Sequence, residues 1–443
     1  MRSSMKMGLT ALLSVMLTAC GGSSSDDSSD SIAYVQFYNA SANSPAVTLT
    51  LDEYAYSAVE FGDSLPRYGV SPQTLDVALL GVDAAGDELS LHEQSLAFVD
   101  GDNHLLVLYG DYGDSKLMDL VYNRDELDEL NDEGEDKTQV LVAHVAPGLP
   151  AYEVYVAADG VDFSSAQLLG SPAYGQYSDS LLLDTGYYRV FLTEPGGTTP
   201  VFSSAVLDFS QQTVQKLMLR PGFGPDSLKL RIDAVDSTGA PLSVTDAAAA
   251  AQYRVYNACG AERTLELGKD QQVQSSLTVA AGAISEYQVL PFDDYDLNIW
   301  DEAGNQGIQD LLLTFNQDDS RTLVIYPGTD GIQAMALTED LRPRSFDYQL
   351  TAVNLVPDSE DLSIYFLTED ETLDSAQYKL SNWDFSERPS LTLPSGSYEV
   401  LVIATDDNGT LSRLARLALS LDSHQNLSLV LTRDGDSYRL TAL

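Results

Sequence analysis

Two cysteines, four histidines and two tryptophans are the scarce chemical side chains of this 443-residue sequence. Cys20 follows Leu17-Thr18-Ala19 and precedes Gly21 and a run of Gly, Ser and Asp. A thiol there, flanked by small residues in an extended segment, is reachable by a modifying enzyme. Cys259 stands in "YNACGAE" and reads as a small buried residue, not a reactive thiol. His92, His104, His144 and His424 fall in no H-x-x-x-H or H-E-x-x-H pattern. No G-x-S-x-G elbow or G-x-x-x-x-G-K-[ST] phosphate loop occurs. Paired carboxylates could hydrolyse glycosides, but among 67 acids their proximity in sequence carries no information. No catalytic set and no metal-ligand set emerges, and a cryptic hydrolase is the least favoured reading. Trp300 and Trp383 remain as possible ligand contacts. An exposed Trp stacks on a sugar or anchors a partner; it can equally pack under a neighbouring loop or domain. Trp300 is expected to point outward, opposite in phase to Tyr295, Leu297 and Ile299. Trp383, in "SNWDFSERP", is expected in a loop.

The surroundings of Cys20 set the compartment. Arg2 and Lys6 make a positive start, and Met7 to Ala19 carries no charge. That run is shorter than the roughly 20 apolar residues a membrane span needs. Positive, then apolar, then small is the order of a secretory signal. Its end, Leu17-Thr18-Ala19-Cys20, resembles the bacterial lipobox, Leu-[Ala/Ser/Thr]-[Gly/Ala]-Cys. The resemblance implies a signal peptide over 1–19, diacylglycerol on the Cys20 thiol, and an N-acyl chain after cleavage. More than one acyl chain gives stable anchoring where one is marginal. In such lipoproteins of Gram-negative bacteria an Asp after the Cys tends to mark inner-membrane retention. Gly21 therefore implies the outer membrane, with no signal for which side the body faces. Residues 20–31 read as the lipidated Cys and a flexible tether. Its eleven residues from Gly21 reach about 36–40 Å when stretched.

The charge is strongly one-sided: 67 acidic against 23 basic residues, a formal −44. Nucleic acid is excluded as a partner, because its binding rests on Lys and Arg. The acidity reads as solubility, or as loose binding of divalent cations such as Ca2+. No other cofactor is implied.

From Ile32 onward, short runs of Val, Leu, Tyr and Thr are cut by Gly, Asp, Asn and Pro, which is a strand pattern. Three landmarks recur four times in order. The opening strands hold Asn39, His144, Asn257 and Asn354, spaced 105, 113 and 97 residues apart. Mid-repeat strands follow at Gln73–Val77, Gly186–Val190, Asp293–Leu297 and Gly396–Val400. Tyr188, Val190 and Leu192 share one face, as do Tyr295, Leu297 and Ile299, and Tyr398, Val400 and Val402. Apolar strands follow at Leu106, Leu217, Leu323 and Leu429. The fold class expected is all-β: tandem immunoglobulin-like β-sandwiches of about seven strands behind a cleaved signal. Tyr188 matches either a tyrosine corner or a plain turn into a strand. His144 reads as a structural side chain bonding local backbone.

The repeats are expected at 32–123, 138–238, 252–340 and 346–443. The joints are 124–137, a solvated acidic spacer with eight acids; 239–251, ending in five alanines; and 341–345, "LRPRS". The opening phrases resemble domains of unknown function in bacterial surface lipoproteins, which begin V-R-x-x-N/H-A-S/A-P-x-x-P-x-V-D-V-Y. The second repeat matches through His144, Ala146, Pro147, Pro150, Val154 and Tyr155; the first through Asn39, Ala40, Ser41, Pro45 and Val47. The third keeps Asn257 and Ala258, the fourth Asn354 and Pro357. The resemblance implies a cell-envelope repeat protein without an assigned activity. The expectation is a lipid-anchored rod of four sandwiches that is structural or binds a protein or glycan. The alternative is a carbohydrate- or peptide-recognition module for uptake or adhesion.

Overall fold

A computed structural model describes residues 31–359, 361–406, 408–421, 426–434 and 437–443. Residues 32–443 form one compact unit. The described chain is all-β, with eight sheets stacked in pairs as four successive sandwiches.

Three of the sandwiches share one topology. In the first, Ala33–Ala40 lies between Tyr68–Val70 and Asn103–Tyr109, and Lys116–Tyr122 closes that sheet. The facing sheet runs Tyr54–Ala55, Thr48–Leu51, Thr74–Val82, Glu88–Ala97. The third and fourth repeat this order with eight strands each, one more than the sequence suggests. The second enlarges its sheets to five and six strands.

In every sandwich the opening strand pairs parallel with the later apolar strand. The two sheets of a sandwich read differently in sequence for a physical reason. Thr74–Val82 alternates buried and open because one face meets solvent. Asn103–Tyr109 is buried throughout, and so is nearly all of Lys137–His144 and Val214–Pro221. Their sheets are covered on both faces. One face fills the sandwich core; the other meets a neighbouring sandwich. Tyr38, Leu105 and Val107 of the first sandwich pack on Leu141, Ala143, Met218 and Val235 of the second. Tyr256, Val324 and Tyr326 of the third pack on Val353, Leu355 and Val430 of the fourth. Each such pair shares an apolar seam.

The repeated Asn or His is a buried latch at the end of each opening strand. Asn39 Oδ1 accepts from the Ser41 N–H at 3.1 Å, and its Nδ2 donates to Ser44 Oγ and the Val59 carbonyl. Asn257 does the same with the Cys259 N–H and the Ala261 and Val279 carbonyls. Asn354 accepts from the Val356 N–H and donates to Ser359 Oγ and the Trp383 carbonyl, each at 3.0 Å. His144 takes the place with a ring: Nδ1 accepts from the Ala146 N–H and Nε2 donates to the Pro150 carbonyl at 3.1 Å. The partners assign this tautomer. Burial pushes the His144 pKa down, which keeps that ring neutral. All four latches are fully buried. Asn354→Ala would strand a buried N–H and a buried carbonyl. A loss of about 1–3 kcal/mol is expected in urea melts; a loss below about 0.5 kcal/mol would refute the latch.

The tyrosine corner is present three times. Tyr188, Tyr295 and Tyr398 each donate their hydroxyl to the carbonyl four residues upstream, at 2.7, 2.7 and 2.9 Å.

The joints differ from the sequence reading. The acidic spacer contains a helix, Asp125–Asp132, because Leu127 is buried in the seam between the first two sandwiches. Within 239–251, Leu242–Val244 pairs with Leu230–Val235 and extends the second sandwich. In "LRPRS", Arg342 and Arg344 are buried. The row of sandwiches is not a rod. Asn43 of the first donates to Ser345 Oγ at 2.8 Å, 302 residues later. The Tyr112 and Phe346 rings meet with centroids 5.9 Å apart, and Phe346 packs on the first core.

Candidate functional site

The seam between the first two sandwiches carries buried charge beside its apolar contacts, and further charge lies where the second sandwich meets the third. Period-two alternation on the second sandwich sends Leu217 and Leu219 into its core and Lys216, Met218 and Arg220 outward. On the adjacent strand Ile232 points inward and Asp233 outward. Outward here means toward the first sandwich. Asp233 is fully buried; Arg220 Nε donates to its Oδ2 at 2.6 Å and the Tyr38 hydroxyl at 2.7 Å. Arg220 also donates to the Pro221 carbonyl and Ser243 Oγ. Burial opposes the Arg220 charge, but Asp233 and Tyr38 outweigh it and raise its pKa. Burial, reinforced by Asp233, raises the Tyr38 pKa well above its ordinary value. Nearby, Lys216 is fully buried, with Nζ donating to Gln36 Oε1 at 3.2 Å. Burial drives its pKa down to about 7.

The same sheet reaches the third sandwich. Arg231 Nε and Nη2 both donate to Asp318 Oδ2, at 3.0 and 2.7 Å. Gly224 is required beside this pair: a Cβ there would lie 1.9 Å from Asp318 Oδ1. Arg254 pairs with Glu339 at 2.6 Å. Burial raises the Glu339 pKa, and Arg254 opposes the shift.

Arg220, Arg231, Asp318 and Glu339 also line a cavity of about 420 Å³. Glu60 and Phe61 come from the first sandwich, Arg220, Phe223 and Arg231 from the second, Asp318 from the third, and Arg342 from the joint before the fourth. The Arg220 and Arg342 guanidinium groups lie 4.8 and 5.3 Å from the centre of the Phe61 ring. Phe223 is 6.1 Å from Phe61, centre to centre. This arrangement can bind charge and clamp the units.

The residues singled out in the sequence lie elsewhere. Leu17, Thr18, Ala19, Cys20, Gly21 and His424 are outside the described residues. Trp383 corrects the loop expectation: it ends the strand Tyr378–Trp383 and is among the largest fully buried side chains. It fills the fourth core and offers no ligand contact. Trp300 does lie off the core face, half-buried, its indole N–H donating to Glu266 at 3.1 Å. Cys259 is buried in the third core. His104 Nδ1 lies 3.0 Å from Asp119, but its buried Nε2 has no hydrogen-bond partner. His92 contacts Ser115. Among the described residues no group of three His, Cys, Asp or Glu side chains is set to hold a metal ion, and no helix is long and apolar enough to cross a membrane.

One aromatic surface was missed. Tyr54, Tyr56 and Tyr68 cluster with neighbouring ring centres 4.8 Å apart, and Tyr54 is 64% exposed. The signal was the pair Tyr54-x-Tyr56 in an otherwise polar turn region.

No protein-family model matches the chain. No curated protein matches it. Among solved structures it is similar to the Bacillus anthracis TIE protein, at 10% identity over 91% of this chain and 68% of that one, with a TM-score of 0.16. It is similar to the pilus adhesin SpaC from Lactobacillus rhamnosus GG in its open conformation, at 12% identity over 93% of this chain and 55% of that one, TM-score 0.20. The major pilin subunit BcpA of Bacillus cereus covers 67% of this chain with 98% of its own, at 8% identity and TM-score 0.14. Scores this low carry no argument about function, and the all-β architecture rests on the strands themselves.

Proposed function

We propose that the chain is a lipid-anchored, non-catalytic envelope protein of Gram-negative bacteria that holds a clamped acidic body at the outer membrane for a structural or binding role. One observation carries the clamped body: cations, scarce in this sequence, are drawn inward. Lys216, Arg220, Arg342 and Arg344 are all buried where units meet, although Lys and Arg number only 23 against 67 acids. The clamp holds the sandwiches together and leaves the outer surface anionic, which disfavours anionic lipid and nucleic acid as surface partners. A protein or glycan partner would find its aromatic contact at Tyr54, Tyr56 and Tyr68. The anchor is Cys20, with diacylglycerol on its thiol and an N-acyl chain added after removal of 1–19. Cells fed an alkynyl fatty acid should label the wild type, whereas Cys20→Ala should lose the label and leave the membrane fraction. Equal labelling of both would overturn the anchor.

A further inference from the structure

The junction cavity contains a buried guanidinium that the protein pairs only loosely. Arg220 is engaged by Asp233, and Arg231 by Asp318. Arg342 is not engaged in this way. It is 8% exposed, its Nε has no hydrogen-bond partner, and the nearest Asp340 oxygen is 3.6 Å away. That Asp340 oxygen is also shared with Arg344 and Asn426. Burial and the neighbouring Arg344 charge push the Arg342 pKa down, against the opposing pull of Asp340, Glu60 and Asp347. On the same cavity, exposed Glu60 receives no side-chain hydrogen bond among the described residues, yet it lies in electrostatic range of Arg342. The rings of Phe61 and Phe223 line the same cavity, and the Arg342 guanidinium lies over Phe61.

A guanidinium presents a fork of donors that fits a carboxylate. A carboxylate without a side-chain partner on the same cavity fits an ammonium, and two phenyl rings fit an apolar group. We propose that this cavity binds a small zwitterion with an apolar side chain, an α-amino acid, with its carboxylate on Arg342, its ammonium on Glu60 and its side chain against Phe61 and Phe223. A volume of about 420 Å³ lies in the range of small-ligand pockets. Because three sandwiches and the joint before the fourth line the cavity, the ligand also tightens the clamp: whatever binds the folded state alone raises its stability. This site is independent of the anchor at Cys20.

The test is calorimetric titration of the full-length chain with L-phenylalanine, 3-phenylpropionate and phenethylamine. The two analogues each lack one charge. L-phenylalanine is expected to bind at least tenfold more tightly than either. Glu60→Gln should weaken L-phenylalanine at least tenfold without weakening phenylpropionate. Arg342→Lys should weaken both. Glu60 is exposed, so its variant tests the site even if Arg342→Lys does not fold. Absence of binding, an analogue binding as tightly as L-phenylalanine, or an affinity unchanged in Glu60→Gln would overturn the proposal.

Discussion

Asp233→Ala is expected to remove about 3–5 kcal/mol of folding stability. Asp233 is the only counter-charge within bonding distance of the Arg220 guanidinium among the described residues, and it also takes the Tyr38 hydroxyl across the seam. Ala would leave a buried guanidinium uncompensated and a buried phenol without its acceptor. The pair need not be strongly stabilising overall, because desolvating two charges offsets much of their attraction. That makes a second variant informative. Arg220→Met with Asp233→Leu and Tyr38→Phe replaces both charges and the buried hydroxyl by apolar groups and is expected to lie within about 1–2 kcal/mol of wild type. Urea midpoints at neutral pH read both. A single mutant as stable as wild type would refute the clamp at this position.

The second large effect is a pH dependence set by Lys216. Its pKa is about 7 in the folded protein and about 10.4 in the unfolded chain. Between those values the unfolded chain binds a proton that the folded protein has released. Stability therefore rises with pH across that window, by about 1.4 kcal/mol per unit. Below about pH 7 the folded protein holds a buried ammonium and that gain is absent. Desolvation is the first cause, and Arg67 and Arg124 add repulsion, while Asp236 opposes them. The Tyr122 ring lies 5.3 Å from Nζ, and with a pKa of about 12 it titrates above the window. In Lys216→Met the rise should be missing. The stability difference between variant and wild type should shift by roughly 3–5 kcal/mol from pH 7 to 10.5. Parallel stability–pH curves would contradict a buried Lys216.

The sequence made the strand landmarks legible because local physics sets them. Tyr188, Tyr295 and Tyr398 announced a recurring strand, and the structure gives each the same hydroxyl-to-carbonyl bond. The recurring polar position at Asn39, His144, Asn257 and Asn354 was legible, with local backbone bonding expected only for His144. The sheet partners were not legible, because the parallel pairing of Ala33–Ala40 with Asn103–Tyr109 joins segments about 70 residues apart. The clamp was hidden for a different reason. Period two tells which side chains leave a sandwich core, not whether they enter water or a neighbour. Gln36, Tyr38, Lys216 and Asp233 sit in outward phase and are nonetheless buried. The same limit applies to Trp383: polar neighbours suggested a loop, yet the strand ends at the Trp and its carbonyl receives the Asn354 latch.

The central claim is that the first sandwich returns to the joint before the fourth. Asn43→Cys with Ser345→Cys, in a Cys20→Ser background, tests it most directly, because the native side chains touch at 2.8 Å. On mild oxidation an intramolecular disulfide is expected, seen as two thiols lost by mass spectrometry and a faster non-reducing gel band. A monomer that keeps both engineered thiols reactive would contradict it.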